Sequence, residues 1–461
     1  MKLPFDYAQG RPFGREPLRL RSGLYAYFRG DGQERCRVHL RVEPDGSSLL
    51  LVNANFAYHL NPTASLLAWL YLEGRTQDEA TRALESSYRV RREAARGDVA
   101  RLWADIDLLT APDGACPIHD ADLEVVPPFS QPTSAPLRMD LALTYRCNDD
   151  CAHCYNARPR SFPEMPTEAW EQVLHKVRDI GVPHVCFTGG EATLRGDLPE
   201  LTAHASSLGL ITGLLTNGRR LSDGGYVEKL AASGLDHVQI TLESHDGTIH
   251  DRMVRAPGAW RQTVQGIRNA LAAHLYVMTN TTLLADNAPG LRATLDFLAD
   301  LGVPTVGCNA LIHTGLGREV GTGLTEQSLG PLLEIAKERT AAHGQKLIWY
   351  TPTQYCHFDP VQGELGVKGC TAARYNMAVE PDGAVLPCQS YYEPLGNILR
   401  DRWDTIWNHE LSIRLREKSY VGEGCRTCVF FQECGGGCPL SPPQPTWPLA
   451  AASPSERWTM A

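Results

Sequence analysis

From Met139 onward the sequence alternates between short apolar runs and longer amphipathic stretches. The apolar runs predict strands, and there are six of them: MDLAL, HVCFTG, LITGLLTN, HVQITLE, YVMTNTTLL and TVGCNALI. The stretches between or after them are typical of helices and begin at Thr167, Leu198, Val227, Trp260, Leu291 and Leu324. Six strand–helix units in series predict parallel strands joined by right-handed crossovers. This order of elements favours a partial barrel or a wound α/β sheet.

The first part of the chain predicts a separate small domain. The stretch ERCRVHLRVEPDGSSLLLVN contains an alternating strand, an Asp-Gly turn and a returning strand, which together predict a hairpin. Helix-start signals follow at Asn61-Pro62 and at Thr76, and a third helix is predicted near 94–109. A hairpin followed by three helices is typical of a winged-helix-like domain.

Composition and periodicity divide the chain into six segments. We expect an N-terminal extension (1–22), the winged-helix-like domain (23–110), a proline-rich linker (111–137), the α/β core (138–345), a cysteine-rich region (346–440) and a disordered tail (441–461). A region too small to bury a large core can be held together by metal instead. The irregular, cysteine-rich segment is such a region.

Charge and cysteine usage exclude several classes of function. The net charge of −9 provides no basic field that would attract nucleic acid, and no apolar run of membrane-spanning length is present. The first residues lack the apolar stretch of a secretion signal, so we expect a cytoplasmic protein. Most of its 14 cysteines fall into close groups, which in that compartment more often bind metal than form disulfides. We interpret the four scattered cysteines as buried small apolar residues: Cys36, Cys116, Cys186 and Cys308.

Three cysteines lie on one short loop after the first predicted strand, in CNDDCAHCY: Cys147, Cys151 and Cys154. In a parallel barrel such a loop lies at the face where chemistry takes place. One interpretation is a structural zinc site with His153 as the fourth ligand, although adjacent residues are an awkward pair for one tetrahedron. The other is an iron–sulfur cube that takes three thiolates and leaves one iron open.

The C-x-x-x-C-x-x-C spacing after a first strand resembles the radical S-adenosylmethionine (SAM) superfamily. FTGGE, TNG, QITLES and HDRMVRAPGAW then follow at or directly after successive strand ends, in the order of that family's motifs. The resemblance implies a partial (β/α)6 radical SAM barrel with a [4Fe–4S] cluster whose open iron binds SAM. Electron transfer in that family cleaves SAM to a 5′-deoxyadenosyl radical. Cys147, Cys151 and Cys154 are then the catalytic cluster ligands.

The same resemblance implies which residues contact SAM. Gly189, Gly190 and Glu191 match the motif that holds the amino group of SAM, and Thr216 and Asn217 belong to the next strand end. Thr241 and Glu243 match positions that contact the ribose. Either Arg252 or Arg255 is a candidate for the SAM carboxylate.

The distal cysteines, in GC…GAVLPC…CRTCVFFQECGGGC, resemble the SPASM extension of peptide-modifying radical SAM enzymes, which carries two auxiliary [4Fe–4S] clusters. The resemblance implies that Cys370, Cys388 and Cys438, with Cys356 as fourth ligand, hold the first cluster. Cys425, Cys428 and Cys434 would hold the second. The family's second cluster takes a later cysteine, and none follows Cys438. A non-cysteine ligand, an open iron or absence of that cluster would each account for this.

The N-terminal segment, with YHLNPTASLLAWLYLEGRTQDEATRAL, looks like the PqqD-like peptide-recognition domain of ribosomal peptide biosynthesis. Such domains bind a leader peptide as an added strand at a sheet edge, and we expect the docking edge at Cys36–Val42 or Leu49–Asn53. Two alternatives are a DNA-binding winged helix, although acidic residues are mixed through the domain, and a module that only packs on the barrel.

These resemblances predict an enzyme that forms a thioether or C–C crosslink in a ribosomally made precursor peptide. Its partners would be that peptide with its leader and a reductant such as flavodoxin or ferredoxin. One alternative is an anaerobic sulfatase-maturase-like enzyme, but that group has an aspartate base after the cysteine matching Cys388, and here Gln389 occupies that position. The other is a radical SAM enzyme of a cofactor or tetrapyrrole pathway that acts on a small molecule.

Overall fold

The computed structural model describes residues 20–29, 36–53, 56–88, 90–110 and 132–442. Most of the predicted N-terminal extension, linker and tail, together with Cys116, therefore lies outside the described residues. The chain divides into two compact units. The first comprises Met1–Ala135 and Val177–Pro183, and the second comprises Pro136–Lys176 and His184–Ala461.

The first unit contains a four-stranded antiparallel sheet followed by three helices. The strands are β1 (Gly23–Arg29), β2 (Cys36–Val42), β3 (Ser48–Val52) and β4 (Phe56–Leu60), in the order β1-β2-β3-β4, and the helices are α1 (Pro62–Leu72), α2 (Gln77–Ser87) and α3 (Arg92–Leu109). Asn61 caps α1, and Thr76 and Glu79 form the predicted capping box of α2. The helices pack on the sheet around a core that includes Leu40, Leu50 and Leu84.

The sheet has two strands more than the predicted hairpin. β2 pairs with both β1 and β3, and β3 pairs with both β2 and β4. The expectation that Cys36–Val42 or Leu49–Asn53 forms a free docking edge is therefore wrong, and β1 and β4 are the edges among the described strands. Leu24 is the one buried side chain of β1, and this weak burial explains why its alternation was not detected in the sequence.

The second unit is built on one ten-stranded sheet whose order is β11-β10-β9-β8-β7-β6-β5-β12-β13-β14. Its strands are β5 (Arg138–Thr144), β6 (His184–Gly189), β7 (Ile211–Thr216), β8 (His237–Thr241), β9 (Tyr276–Thr282), β10 (Thr305–Asn309), β11 (Lys346–Trp349), β12 (Asn376–Val379), β13 (Ala384–Leu386) and β14 (Gly396–Asn397). Strands β5 to β11 pair in parallel, in chain order. All six predicted strands are present, and the predicted α/β class with an open, barrel-type parallel sheet is confirmed.

The predicted helices follow their strands. They are α4 (Thr167–Asp179), α5 (Leu198–Ser207), α6 (Gly224–Ala232), α8 (Ala259–Ala272), α9 (Leu291–Asp300) and α10 (Glu326–Ala342), and an additional helix, α7 (Gly247–Val254), precedes α8. Short helices α11 (Trp403–Trp407), α12 (Glu410–Arg416), α13 (Glu423–Arg426) and α14 (Phe431–Cys434) lie in the C-terminal region. Among the residues that the structure describes, no helix has the length and apolar character needed to cross a bilayer.

The cysteine-rich region continues the sheet of the core. β12 pairs in parallel with β5, so that Met377 lies opposite Met139, and β13 and β14 extend that edge as antiparallel strands. At the other edge, β11 adds a parallel strand just beyond the predicted end of the core at residue 345. These strands have only two to four residues each, which is too short for periodicity to reveal them, and β12 also pairs with a strand distant in the chain.

Candidate active site and cluster-binding loops

The three-cysteine loop directly follows β5, and its backbone is held by the end of α7. The amide of Asp150 donates to the carbonyl of Val254 at 2.9 Å, and the amide of Ala152 donates to that of Met253 at 2.9 Å. Cys151 packs against the small apolar cluster that contains Val254. All three thiols are free and partly exposed, so they are available to a ligand bound at this loop.

Two arginines from other parts of the chain stabilise the loop. The Arg160 guanidinium donates to the carbonyl of Cys147 at 2.8 Å and also to that of Asp149. Arg219 donates to the carbonyl of Asn148 and, at 2.7 Å, to the buried carboxylate of Asp149. Neither arginine belongs to a recognisable motif, so sequence reasoning missed both. Their positive charges favour an anionic group bound near the loop.

The side chain of His153 is hydrogen-bonded to a carboxylate. Its Nε2 lies 2.9 Å from Oε1 of Glu243, which is fully buried and also accepts from the amide of Thr282 at 2.9 Å. Burial alone would lower the pKa of His153, but the charge and hydrogen bond of Glu243 outweigh it and raise that pKa. Nε2 is therefore occupied by a carboxylate, whereas Nδ1 of the same ring is buried and has no hydrogen-bond partner among the described residues, so a zinc site here would have to use Nδ1. Glu243 lies against the cysteine loop and β9 through these contacts.

The two glycines after β6 allow a close approach of backbone to backbone. Gly189 has φ +133°, and a Cβ there would lie 2.0 Å from the carbonyl oxygen of Thr144. A Cβ on Gly190 would lie 2.4 Å from the carbonyl oxygen of Arg146. The amide of Gly190 donates to Thr144 at 2.8 Å, and the amide of Glu191 donates to Arg146 at 2.9 Å. The GGE backbone therefore lies along the start of the cysteine loop.

The Glu191 carboxylate ties two strand ends together. It is buried and accepts from the amide and hydroxyl of Thr193 at 3.0 and 2.7 Å, from the Thr216 hydroxyl at 2.8 Å and from the Asn217 amide at 2.8 Å. Burial raises the pKa of Glu191, and these hydrogen bonds oppose that shift. Because all four donors are protein groups, the carboxylate joins the ends of β6 and β7.

Replacing Glu191 by Gln tests this joining role. We expect the free energy of unfolding to fall by about 2 kcal/mol, since the Gln amide cannot accept all four hydrogen bonds and leaves buried donors unsatisfied. Urea denaturation measures the change, with Glu200→Gln on the exposed face of α5 as the matched control. An unchanged unfolding midpoint together with lost SAM cleavage would instead indicate that the carboxylate contacts SAM directly.

The remaining candidate SAM residues lie around the same loop. The Asn217 side chain donates to that of Asn148 at 2.7 Å, and this contact joins the TNG segment to the cysteine loop. Arg252 is 60% exposed and lies 3.7 Å from Asp286, whereas Arg255 ends α7 beside the residue that binds Asp150. Thr241 is the last residue of β8, two positions before Glu243.

The cysteine loop is also hydrogen-bonded to the C-terminal region. The Tyr155 hydroxyl donates to Oε1 of Gln389 at 2.8 Å, next to Cys388. Arg158 forms a bidentate pair with buried Glu380 at 2.7 and 2.8 Å, and this carboxylate also accepts from Tyr145 at 3.1 Å. Bidentate pairs of this kind fix orientation as well as distance. The loop and the region around Cys388 are therefore held together by charge-assisted contacts.

Within the sheet, Cys186 lies beside two histidines. Nε2 of His184 is 2.8 Å from Nε2 of His237 and 3.4 Å from Sγ of Cys186, and a Cβ on Gly213 would lie 2.3 Å from the His237 ring. Because residue 213 is a glycine, the His237 ring can lie at this position beside His184 and Cys186. The expectation that Cys186 is buried is confirmed, as it is for Cys36 and for Cys308.

His237 makes stability depend on pH. Removal from water and the charge of nearby Arg138 lower its pKa to about 4, and Asp236 partly opposes this shift. The folded state therefore favours neutral His237. Its stabilising contribution is complete above pH 6.5 and is lost as the pH falls towards 4. Between pH 7 and pH 4, the free energy of unfolding of the wild type, measured by chemical denaturation, should fall by at most about 3 kcal/mol more than that of His237→Gln. If the two proteins lose stability equally over this range, the pKa of His237 is not lowered in the folded state.

Comparisons with known proteins agree with this site. The profile of the Radical SAM superfamily matches residues 141–309, and that of the SPASM iron–sulfur cluster-binding domain matches residues 370–429. The PqqA peptide cyclase of Streptomyces rochei is 30% identical over 331 residues, which cover 70% of this chain and 89% of that protein. The chain belongs to the radical SAM superfamily.

Solved structures share the fold of this radical SAM protein. SuiB of Streptococcus suis bound to precursor peptide SuiA has a TM-score of 0.67 at 16% identity, over 90% of this chain and 96% of that chain. The structure of anSMEcpe with bound AdoMet and the Cp18Cys peptide has a TM-score of 0.52 at 18% identity, over 66% of this chain and 89% of that chain. At this level of identity, the likeness shows the architecture.

Family membership makes SAM and [4Fe–4S] clusters the cofactors of this protein. The residues present suit these groups. The loop after β5 carries three free thiols, the Nε2 atom of its histidine is bound to Glu243, and the two glycines of the GGE segment bring bare backbone close to the loop. The C-terminal region supplies seven further thiols within the SPASM-type segment and just before and after it.

Proposed function

We propose that this radical SAM enzyme modifies a ribosomally made precursor peptide, in which it forms a thioether or C–C crosslink. The observation that carries the proposal is the extent of the structural likeness to SuiB, a protein whose structure was solved with its precursor peptide bound. That likeness spans 90% of the chain, whereas the likeness to anSMEcpe spans 66%. The relative that shares 30% identity is a cyclase of the peptide PqqA. These relatives support a peptide as substrate.

The residues around the cysteine loop have distinct proposed roles. Cys147, Cys151 and Cys154 would hold the cluster that binds SAM, and the bound cofactors together supply a 5′-deoxyadenosyl radical. Arg160 and Arg219 position the loop through its carbonyl oxygens and Asp149. The backbone of the GGE segment would line the SAM site, with the Glu191 carboxylate holding the adjoining strand ends. We assign the remaining contacts to SAM to residues at or just after neighbouring strand ends and to two arginines of α7 and its C-terminus: Thr216, Asn217, Thr241, Glu243, Arg252 and Arg255.

We propose that the first unit is a PqqD-like domain that recognises the leader of the precursor. Its sheet offers two edge strands, β1 and β4, and an edge strand has backbone donors and acceptors that can pair with an extended peptide. Main-chain pairing would supply affinity, and side-chain pockets would set the register. A low-potential donor such as flavodoxin or ferredoxin is the second proposed partner, since SAM cleavage consumes an electron.

Gln389 argues against a sulfatase-maturase-like activity. An aspartate base would be expected at this position in that group, whereas a Gln amide cannot take a proton at neutral pH. The Gln389 side chain instead accepts a hydrogen bond from Tyr155, the residue after Cys154. This position therefore links the two cysteine-bearing regions.

The proposal is tested with the short peptides encoded by reading frames that flank this one. Each peptide is incubated anaerobically with reconstituted enzyme, SAM and dithionite, and its mass is then measured. We expect one of them to lose a pair of hydrogens for each bond formed, in step with 5′-deoxyadenosine production. Vigorous SAM cleavage with every flanking peptide unchanged, or a change in a small molecule alone, would contradict a peptide substrate.

A further inference from the structure

The segment before Cys356 lies directly against the last cysteine motif. The amide of Tyr355 donates to Sγ of Cys434 at 3.5 Å, and this thiol lies 3.6 Å from the carbonyl oxygen of Thr353. The side chain of Gln354 donates to the carbonyl of Gly436 at 3.2 Å. Three successive residues before Cys356 therefore contact Cys434 or its neighbours.

Tyr355 also contacts Phe430 and Lys368, and these contacts restrict the position of its neighbour Cys356. Its ring is buried and packs near Phe430, with centroids 6.4 Å apart, and its hydroxyl accepts from the amide of Lys368 at 3.1 Å. Phe430 in turn lies between Cys428 and Cys434 in the chain. A residue adjacent to Tyr355 is therefore held beside the C-x-x-C-x5-C segment.

We infer that Cys356, Cys425, Cys428 and Cys434 form one four-cysteine cluster site, and that Cys370, Cys388 and Cys438 form a separate three-cysteine site. This assignment differs from the one implied by the resemblance, which grouped Cys356 with Cys370. The four-cysteine site is then complete without a cysteine after Cys438. The three-cysteine site lacks one thiolate, and its cluster would keep an iron open to a non-cysteine ligand.

The three-cysteine site is also the one connected to the SAM loop. Gln389, next to Cys388, binds Tyr155, next to Cys154. The open iron would therefore belong to the auxiliary cluster that adjoins the reacting centre. This inference concerns cluster ligation alone and does not depend on which substrate the enzyme modifies.

The test compares the same substitution in two backgrounds that keep the SAM loop intact. One background carries Cys370→Ala, Cys388→Ala and Cys438→Ala, and the other carries Cys425→Ala, Cys428→Ala and Cys434→Ala. Cys356→Ser is added to each, and the proteins are reconstituted anaerobically with ⁵⁷Fe. Iron content, Mössbauer spectra and EPR spectra are recorded, with the SAM cluster identified by its response to SAM.

We expect Cys356→Ser to alter the auxiliary cluster in the first background, with loss of iron or a [3Fe–4S]-type EPR signal after mild oxidation. In the second background the spectra should be unchanged. The reverse pattern, or no effect in either background, would overturn the inference. Cys308→Ser, at a buried thiol of β10, is the control and should leave all cluster spectra unchanged.

A second measurement uses the wild-type chain and does not depend on how the variants fold. The iron-free protein is oxidised gently, and its disulfides are mapped by mass spectrometry of proteolytic peptides. We expect Cys356 to pair with Cys425, Cys428 or Cys434, its proposed site partners. Predominant pairing with Cys370, Cys388 or Cys438 would overturn the assignment.

Discussion

Replacing Cys147, Cys151 and Cys154 together by alanine is expected to abolish SAM cleavage and to leave the iron of the auxiliary sites bound. Mutating a residue that only hydrogen-bonds to a metal ligand already lowers metal affinity or activity about 10–100-fold. Loss of all three ligands should therefore lower activity by more than that. The auxiliary iron should persist because its thiols lie in a different part of the chain, beyond residue 355. Production of 5′-deoxyadenosine under dithionite, measured by chromatography, and iron per chain provide the two readouts.

The matched control for this experiment is Cys308→Ala. Cys308 is fully buried in β10 and far in sequence from the cysteine loop, so its loss removes packing and no proposed ligand. We expect a modest destabilisation, of about 1 kcal/mol, with SAM cleavage and iron content retained. If the triple variant still cleaves SAM, the assignment of the loop is wrong. If Cys308→Ala loses its iron, the scattered cysteines have been misinterpreted.

Deleting residues 23–110 is expected to spare SAM cleavage without substrate and to abolish modification of the full-length precursor. Binding the leader converts capture of the core peptide into an intramolecular event, and such tethering is worth about 10²–10⁴ in apparent affinity. The first unit has its own core around Leu40, Leu50 and Leu84, and the deletion ends before β5, the first strand in the sheet of the second unit. Modification at the wild-type rate by the truncated enzyme would refute leader recognition.

Amide exchange with and without the leader locates the docking strand. We expect new protection at β1 or β4, the two edge strands of the first sheet. Strands β2 and β3 provide an internal reference, since each already pairs on both sides and should change little. Protection confined to the helices would favour a different binding mode.

The strands and helices of the core were predictable because each has a strong local pattern. HVCFTG and LITGLLTN are continuous apolar runs that end in glycine or asparagine, and both form strands whose ends carry the predicted motifs. The grouping of three cysteines after β5 was equally visible. These features depend on residues that are close together in the chain.

What could not be predicted depends on contacts between distant residues. β12 has only four residues, and its pairing with β5 joins positions more than 200 residues apart. The roles of Arg160 and Arg219 become apparent only when their carbonyl partners are located. The GGE motif indicated a SAM contact at Glu191, but it did not reveal that the Glu191 carboxylate accepts hydrogen bonds from Thr193, Thr216 and Asn217. A motif thus indicates a site without assigning the direction of each side chain.

Transfer of deuterium from the precursor peptide to 5′-deoxyadenosine tests the central claim most directly. The modified peptide is first identified by its mass, then prepared with deuterium at its carbon-bound positions and incubated with enzyme, SAM and dithionite. If the enzyme takes a hydrogen atom from the peptide, the 5′-deoxyadenosine should carry deuterium in proportion to the crosslinks formed. Unlabelled 5′-deoxyadenosine formed alongside a fully deuterated, modified peptide would contradict the account.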